Sequence, residues 1–120
     1  MKPLTLTDAH AQVVAALQAG TVPVVSALDQ DVARIGPAFV VGAPSATGVV
    51  VGGFCASWEY EVPVQVLSGT DLLDDLVGDA DTAMSLLAAA NLTTTNAAPT
   101  GLLRLDENLS THSYTLTVAL

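Results

Sequence analysis

The chain has 120 residues, 51% of them hydrophobic and only 12% charged, with a formal net charge of -9. A single domain of this length buries about two thirds of the surface its unfolded chain exposes and needs no covalent staple; its one cysteine, Cys55, excludes an internal disulfide and gives no sign of an oxidising compartment. Lys2, Arg34 and Arg104 face 12 acidic residues, which excludes a cationic phosphate-binding surface.

The opening Met1 to Asp8 has one positive charge and no continuous apolar core, so it does not read as a signal peptide, and folding in a reducing cytosol is expected. Thr7 to Ala19 reads as a short amphipathic helix, with Ala9, Val13, Val14, Ala16 and Leu17 on one side, Thr7 as N-cap and Gly20 as the stop. Val22 to Ser26 is a brief extended piece, and Asp29 to Pro37 a polar connection ended by Ile35-Gly36-Pro37. Ala38 to Gly42 is a short strand bounded by turn residues. Pro44 to Gly53, small, glycine-rich and uncharged, is expected to be a flexible loop or tongue.

Phe54 to Leu67 gives the clearest strand signal: Phe54, Ala56, Trp58, Tyr60, Val62, Val64 and Val66 alternate with Cys55, Ser57, Glu59, Glu61, Pro63 and Gln65. The even-numbered face is assigned to the core, with Trp58 and Tyr60 anchoring the helices, and a bend or bulge is expected near Pro63. On that assignment Trp58→Ala costs roughly 3 to 5 kcal/mol. A second helix opens at Ser68-Gly69-Thr70-Asp71 and runs to about Ala90, with Leu72, Leu73, Leu76, Val77, Ala80, Ala83, Met84, Leu87 and Ala90 as its apolar stripe. Asp71, Asp74 and Asp75 suit the positive end of its dipole, and Asn91 ends it. Thr93 to Thr100 reads as a polar loop, Gly101 to Leu105 as a strand, Asp106 to Thr111 as a turn, and Ser113 to Leu120 as a last strand with Tyr114, Leu116, Val118 and Leu120 on one face. The expected fold is a single α+β domain in the order α-β-β-α-β-β, an antiparallel sheet with two helices on one face.

The chemistry-bearing residues do not gather into a known constellation. His10, His112 and Cys55 are too few and too scattered for zinc, and both histidines read as surface residues. Ser45 lacks nucleophile-elbow spacing, Asp79-Ala80-Asp81 lacks the glycine and distal glutamate of a calcium loop, and Gly48 to Gly53 lacks the Lys-Ser or Lys-Thr of a phosphate loop. Glu59 and Glu61 share a strand face like a glycosidase carboxylate pair, but two solvated acids account for them. No catalytic residue, metal or cofactor is assigned. Charged residues at 12% fall well short of the usual quarter or so, consistent with a surface partly covered by other subunits.

The texture of Thr7 to Ala19, Val22-Pro23-Val24-Val25, Gly36 to Pro44, Trp58 to Val66, the leucine-rich helix and Tyr114 to Val118 resembles the tail terminator family of long-tailed phages, especially those of actinobacteria. The resemblance covers nearly the whole chain and rests on pattern rather than on one motif. It implies a virion protein that forms a hexameric ring with copies of itself, caps the tail tube protein and meets the head-side connector or stopper. DNA would pass through the lumen without specific binding, and no membrane is involved. On this reading Pro44, Gly48, Val49, Val50, Val51, Gly52 and Gly53 are candidate interface residues, with Val50→Asp expected to hinder assembly, and Glu59 and Glu61 are candidate channel-facing acids. A head-tail stopper or adaptor and a tail tube subunit are alternatives, as is a small bacterial binding module.

Overall fold

The computed structural model describes residues 5–26, 37–51, 54–67, 73–104 and 110–120. Eight elements follow in order: α1 (Leu6–Gln18), β1 (Val24–Ser26), β2 (Ala38–Val41), β3 (Ser45–Val51), β4 (Phe54–Leu67), α2 (Leu73–Ala89), β5 (Thr93–Arg104) and β6 (Ser110–Ala119). The six strands make one sheet in the order β1-β2-β4-β6-β5, with β3 also paired to β4. The α+β class agrees with the sequence reading; the strand order does not.

Three corrections account for the difference. The brief extended piece becomes β1, which pairs parallel with β2, so the sheet is mixed rather than antiparallel. The stretch read as a flexible loop is β3 over Ser45–Val51, antiparallel to β4 from Ser45 opposite Glu61 to Val51 opposite Phe54. Glycine and alanine lower intrinsic strand preference, but pairing along a long neighbouring strand overrides it. The polar loop Thr93 to Thr100 belongs to β5, where register shifts between Thr94 and Asn96 and between Pro99 and Gly101 absorb the turn-forming residues. β5 is an edge of the sheet, the position where proline is tolerated. The expected connection over 29–36, residues 106–109 of the expected turn, Gly52, Gly53 and the helix opening at Ser68 to Asp71 lie outside the described residues, while Ser110 and Thr111, read as the end of that turn, begin β6 opposite Arg104 and Leu103.

Both helices cover one face of the sheet. Ala9, Val13, Ala16 and Leu17 of α1 and Leu76, Ala83 and Leu87 of α2 pack against Phe39, Val41, Tyr60, Val62, Val64, Val66, Leu116 and Val118 in one buried cluster. The register makes this inevitable: Phe39 lies opposite Val66, Val41 opposite Val64, and those two opposite Tyr114 and Leu116, and directly paired residues share a face. On the other face Val25, Val40 and Leu67 form a small separate cluster. Val77 and Met84 of α2, assigned to its apolar stripe, are exposed, as is Ala90, because the buried line follows Leu76, Ala80, Ala83 and Leu87 instead.

The helix ends have local causes. α1 is capped by Thr5 rather than Thr7: Thr5 is extended, and its Oγ1 accepts from the Asp8 backbone N–H at 3.0 Å. Asn91 ends the α2 region with φ of 61°, and the Asn91 and Leu92 N–H groups donate to Ala88 and Leu87 carbonyls at 3.0 and 2.9 Å, a Schellman closure. Among the described residues no helix is long and apolar enough to cross a membrane.

Candidate functional site

β4 positions everything of functional interest on the sheet. From Glu61 to Leu67 it pairs with β6, and from Val64 to Leu67 also with β2 on its other edge. From Phe54 to Glu61 the β2 side is taken over by β3. The handover falls at Pro63, whose carbonyl accepts from the Gly42 N–H at 2.8 Å. A Cβ on Gly42 would stand 2.9 Å from Pro63 Cγ, so this close approach requires glycine. The expected irregularity is not at Pro63 but between Val49 and Val50: Val49 faces Ser57, Val50 faces Cys55, and Ala56 is passed over.

Beyond Glu61, β3 and the first half of β4 form a two-stranded ribbon, with no further strand on the other β4 edge among the described residues. The molecule is accordingly long, 53 × 29 × 24 Å, with a radius of gyration of 15.0 Å against about 13.6 Å for a compact chain of this length. This ribbon is the arm on or beside which the described sequence-predicted interface residues fall. Pro44 is half-buried just before it, Gly48 pairs with Trp58, and Val49, Val50 and Val51 pair with Ser57, Cys55 and Phe54.

Trp58 corrects the core assignment: it is 52% exposed, whereas Tyr60, two residues on, is buried. Its cross-strand neighbour, Gly48, has no side chain to cover it, and the helix-covered cluster ends at Tyr60. Glu59 and Glu61 are both exposed on the opposite face, where Glu59 lies across from Thr47 and Glu61 across from Ser45 and Ala119. The face continues through exposed Pro63 and half-buried Gln65, Thr115 and Thr117, a polar surface with no helix over it among the described residues.

At the C-terminal ends of α1 and α2 lies an open, mostly apolar groove of about 540 Å³. Its walls are Gln12, Ala15 and Ala16 of α1 with Ala19 just after it, and Leu86 and Ala89 of α2 with Ala90 and Leu92 just beyond it. Alanine is the physical reason the groove exists, since larger side chains at these positions would fill it. The helices approach closely at Gly20, where a Cβ would meet Leu86 Cδ1 at 2.7 Å.

His10 was missed as a buried residue. It is 6% exposed, and both ring nitrogens are bonded: Nδ1 lies 2.9 Å from the Gly42 carbonyl oxygen and Nε2 2.7 Å from Ser26 Oγ. A carbonyl only accepts, so Nδ1 carries a proton, and in the neutral ring the Ser26 hydroxyl donates to Nε2. The pair has the spacing of a nucleophile and its base. At this burial the imidazole offers a substrate almost no surface, and the two bonds fasten α1 to β1 and to the turn after β2. The signal was in the sequence: His10 precedes Val13, Val14 and Leu17 by three, four and seven residues, the phase of the buried stripe. The His112 and Cys55 side chains lie outside the described residues, and no group of three potential metal ligands occurs among those described.

The sequence matches no protein-family model and no curated protein.

Proposed function

We propose that this chain is a non-enzymatic structural subunit of a phage neck, similar to a tail terminator, which closes into a hexameric ring on the tail tube and meets the head-side connector or stopper. The observation that carries the reading is the arm: a strand pair with an exposed tryptophan and no charged residue from 35 to 58, on a chain of net charge -9. A monomer gains nothing from an exposed tryptophan, and aromatic side chains of this kind are enriched at sites of association. The sequence resemblance supplies the tail context. Glu59 and Glu61, on the uncovered sheet face, are the acids offered to the lumen, where like charge keeps DNA from adhering. A stopper, adaptor or tail tube subunit would use the same arm and differ in its neighbours.

Native mass spectrometry of the purified chain tests the ring. A closed hexamer is expected, and a monomer at every concentration up to the millimolar range overturns the proposal. Labelling of intact virions at the head-proximal end of the tail is the expected location, and labelling along the whole tail identifies a tube subunit instead. In a gel shift at physiological salt, duplex DNA is expected to show no sub-micromolar binding, because three cationic side chains neutralise too few phosphates.

A further inference from the structure

We propose that the partner surface for the arm is the α1–α2 groove of a second copy of this chain, with Trp58 as the side chain that enters it. It rests on the ring reading above and names the contact that would build the ring.

Charge selects the occupant. At -9, two copies repel, and the cost is least where neither contributes a charge. The exposed acids Asp8, Glu59, Glu61 and Asp81 mark the start of α1, the uncovered sheet face and the outer side of α2 as surfaces that like copies avoid. Even the exposed Val77 and Met84 of α2 flank Asp81 at helical spacing. The Trp58 face of the arm and the groove are free of charge: the ribbon's two acids, Glu59 and Glu61, alternate to its other face, and the groove walls carry none. The neutral surface of one copy therefore finds its match in the neutral surface of another.

Shape selects the pairing between them. The arm offers a projecting aromatic and the groove a concavity of about 540 Å³, within the range that holds a bound ligand. Trp is among the side chains enriched as interface anchors, and burying the half of Trp58 that is exposed removes on the order of 75–125 Å² from water. Each copy carries one arm and one groove at different places, so the contact is head-to-tail and repeats until it closes.

The single tryptophan of the chain makes the contact directly visible. Trp58 emission is expected to shift to the blue on assembly and to return on dilution. Trp58→Arg on the arm and Ala89→Glu on the groove wall both replace exposed residues, so far-ultraviolet circular dichroism of each should match the wild type. Each variant alone is expected to lose association by at least about thirtyfold, the loss of a binding hot spot. An equimolar mixture is expected to give dimers and nothing larger, because only the intact arm of the Ala89 variant and the intact groove of the Trp58 variant can meet. Assembly of the Ala89→Glu protein with wild-type affinity overturns the groove and leaves the ring standing; it is also the result if arms pair with arms along their free strand edges. A mixture that stays monomeric overturns the pairing as well. A wild-type chain that never assembles overturns the ring reading itself.

Discussion

Between Glu61 and Leu67, β4 has β6 on one edge, β2 or β3 on the other along most of its length, and two helices over its even-numbered face; between Phe54 and Glu59 it has β3 alone among the described strands. The sequence alternates in the same way through both halves, yet Val62, Val64 and Val66 are fully buried and Trp58 stands half in solvent. Alternation reports which residues share a face. It does not report whether anything is stacked on that face, because that depends on where helices distant in sequence come to lie.

If the two halves differ as described, substitutions should separate them by size of effect. Phe39→Ala, opposite Val66 in the covered half, is expected to cost about 3–5 kcal/mol in denaturant unfolding, a large part of a total near 5–15 kcal/mol. A cost below about 1 kcal/mol would mean that the helices do not seal this part of the sheet.

His10→Ala should remove about 1–3 kcal/mol, since it deletes the two hydrogen bonds, to the Gly42 carbonyl and from the Ser26 hydroxyl, that join α1 to the sheet edge. His10→Ala with wild-type stability would show those bonds to be replaceable by water. Ser113 supplies a change of opposite sign. Its side chain is 1% exposed, and its Oγ finds no hydrogen-bond partner among the described residues. Ser113→Ala is expected to raise stability by up to about 1 kcal/mol, read as a higher thermal midpoint.

Smallest of all on the fold should be Trp58→Ala, measured on the dissociated chain. A change within about 0.5 kcal/mol is expected, in place of the core-sized loss that its strand phase alone implied. A loss matching that of Phe39→Ala would return Trp58 to the core and remove the arm from consideration as an interface.

Much of the architecture was legible because it depends on local pattern. The two helices, β2, β4 and the end of β6 each carry a run of apolar residues at the right period, and Asn91 stands where a left-handed residue closes the second helix. Even the burial of His10 follows from its place in the α1 stripe, where position outweighs the polar character of the residue. Only the tertiary structure decided the rest. Ser45–Val51 and Thr93–Thr100 have too much glycine, alanine, asparagine and proline to declare themselves strands, and became strands because β4 and β6 offered long partners with room for register shifts. The parallel pairing of β1 with β2, the exposure of Trp58 opposite Gly48, and the alanine-walled groove between α1 and α2 all depend on elements far apart in the chain. A sequence states what each segment can bury, and the fold determines which neighbour, if any, arrives to bury it.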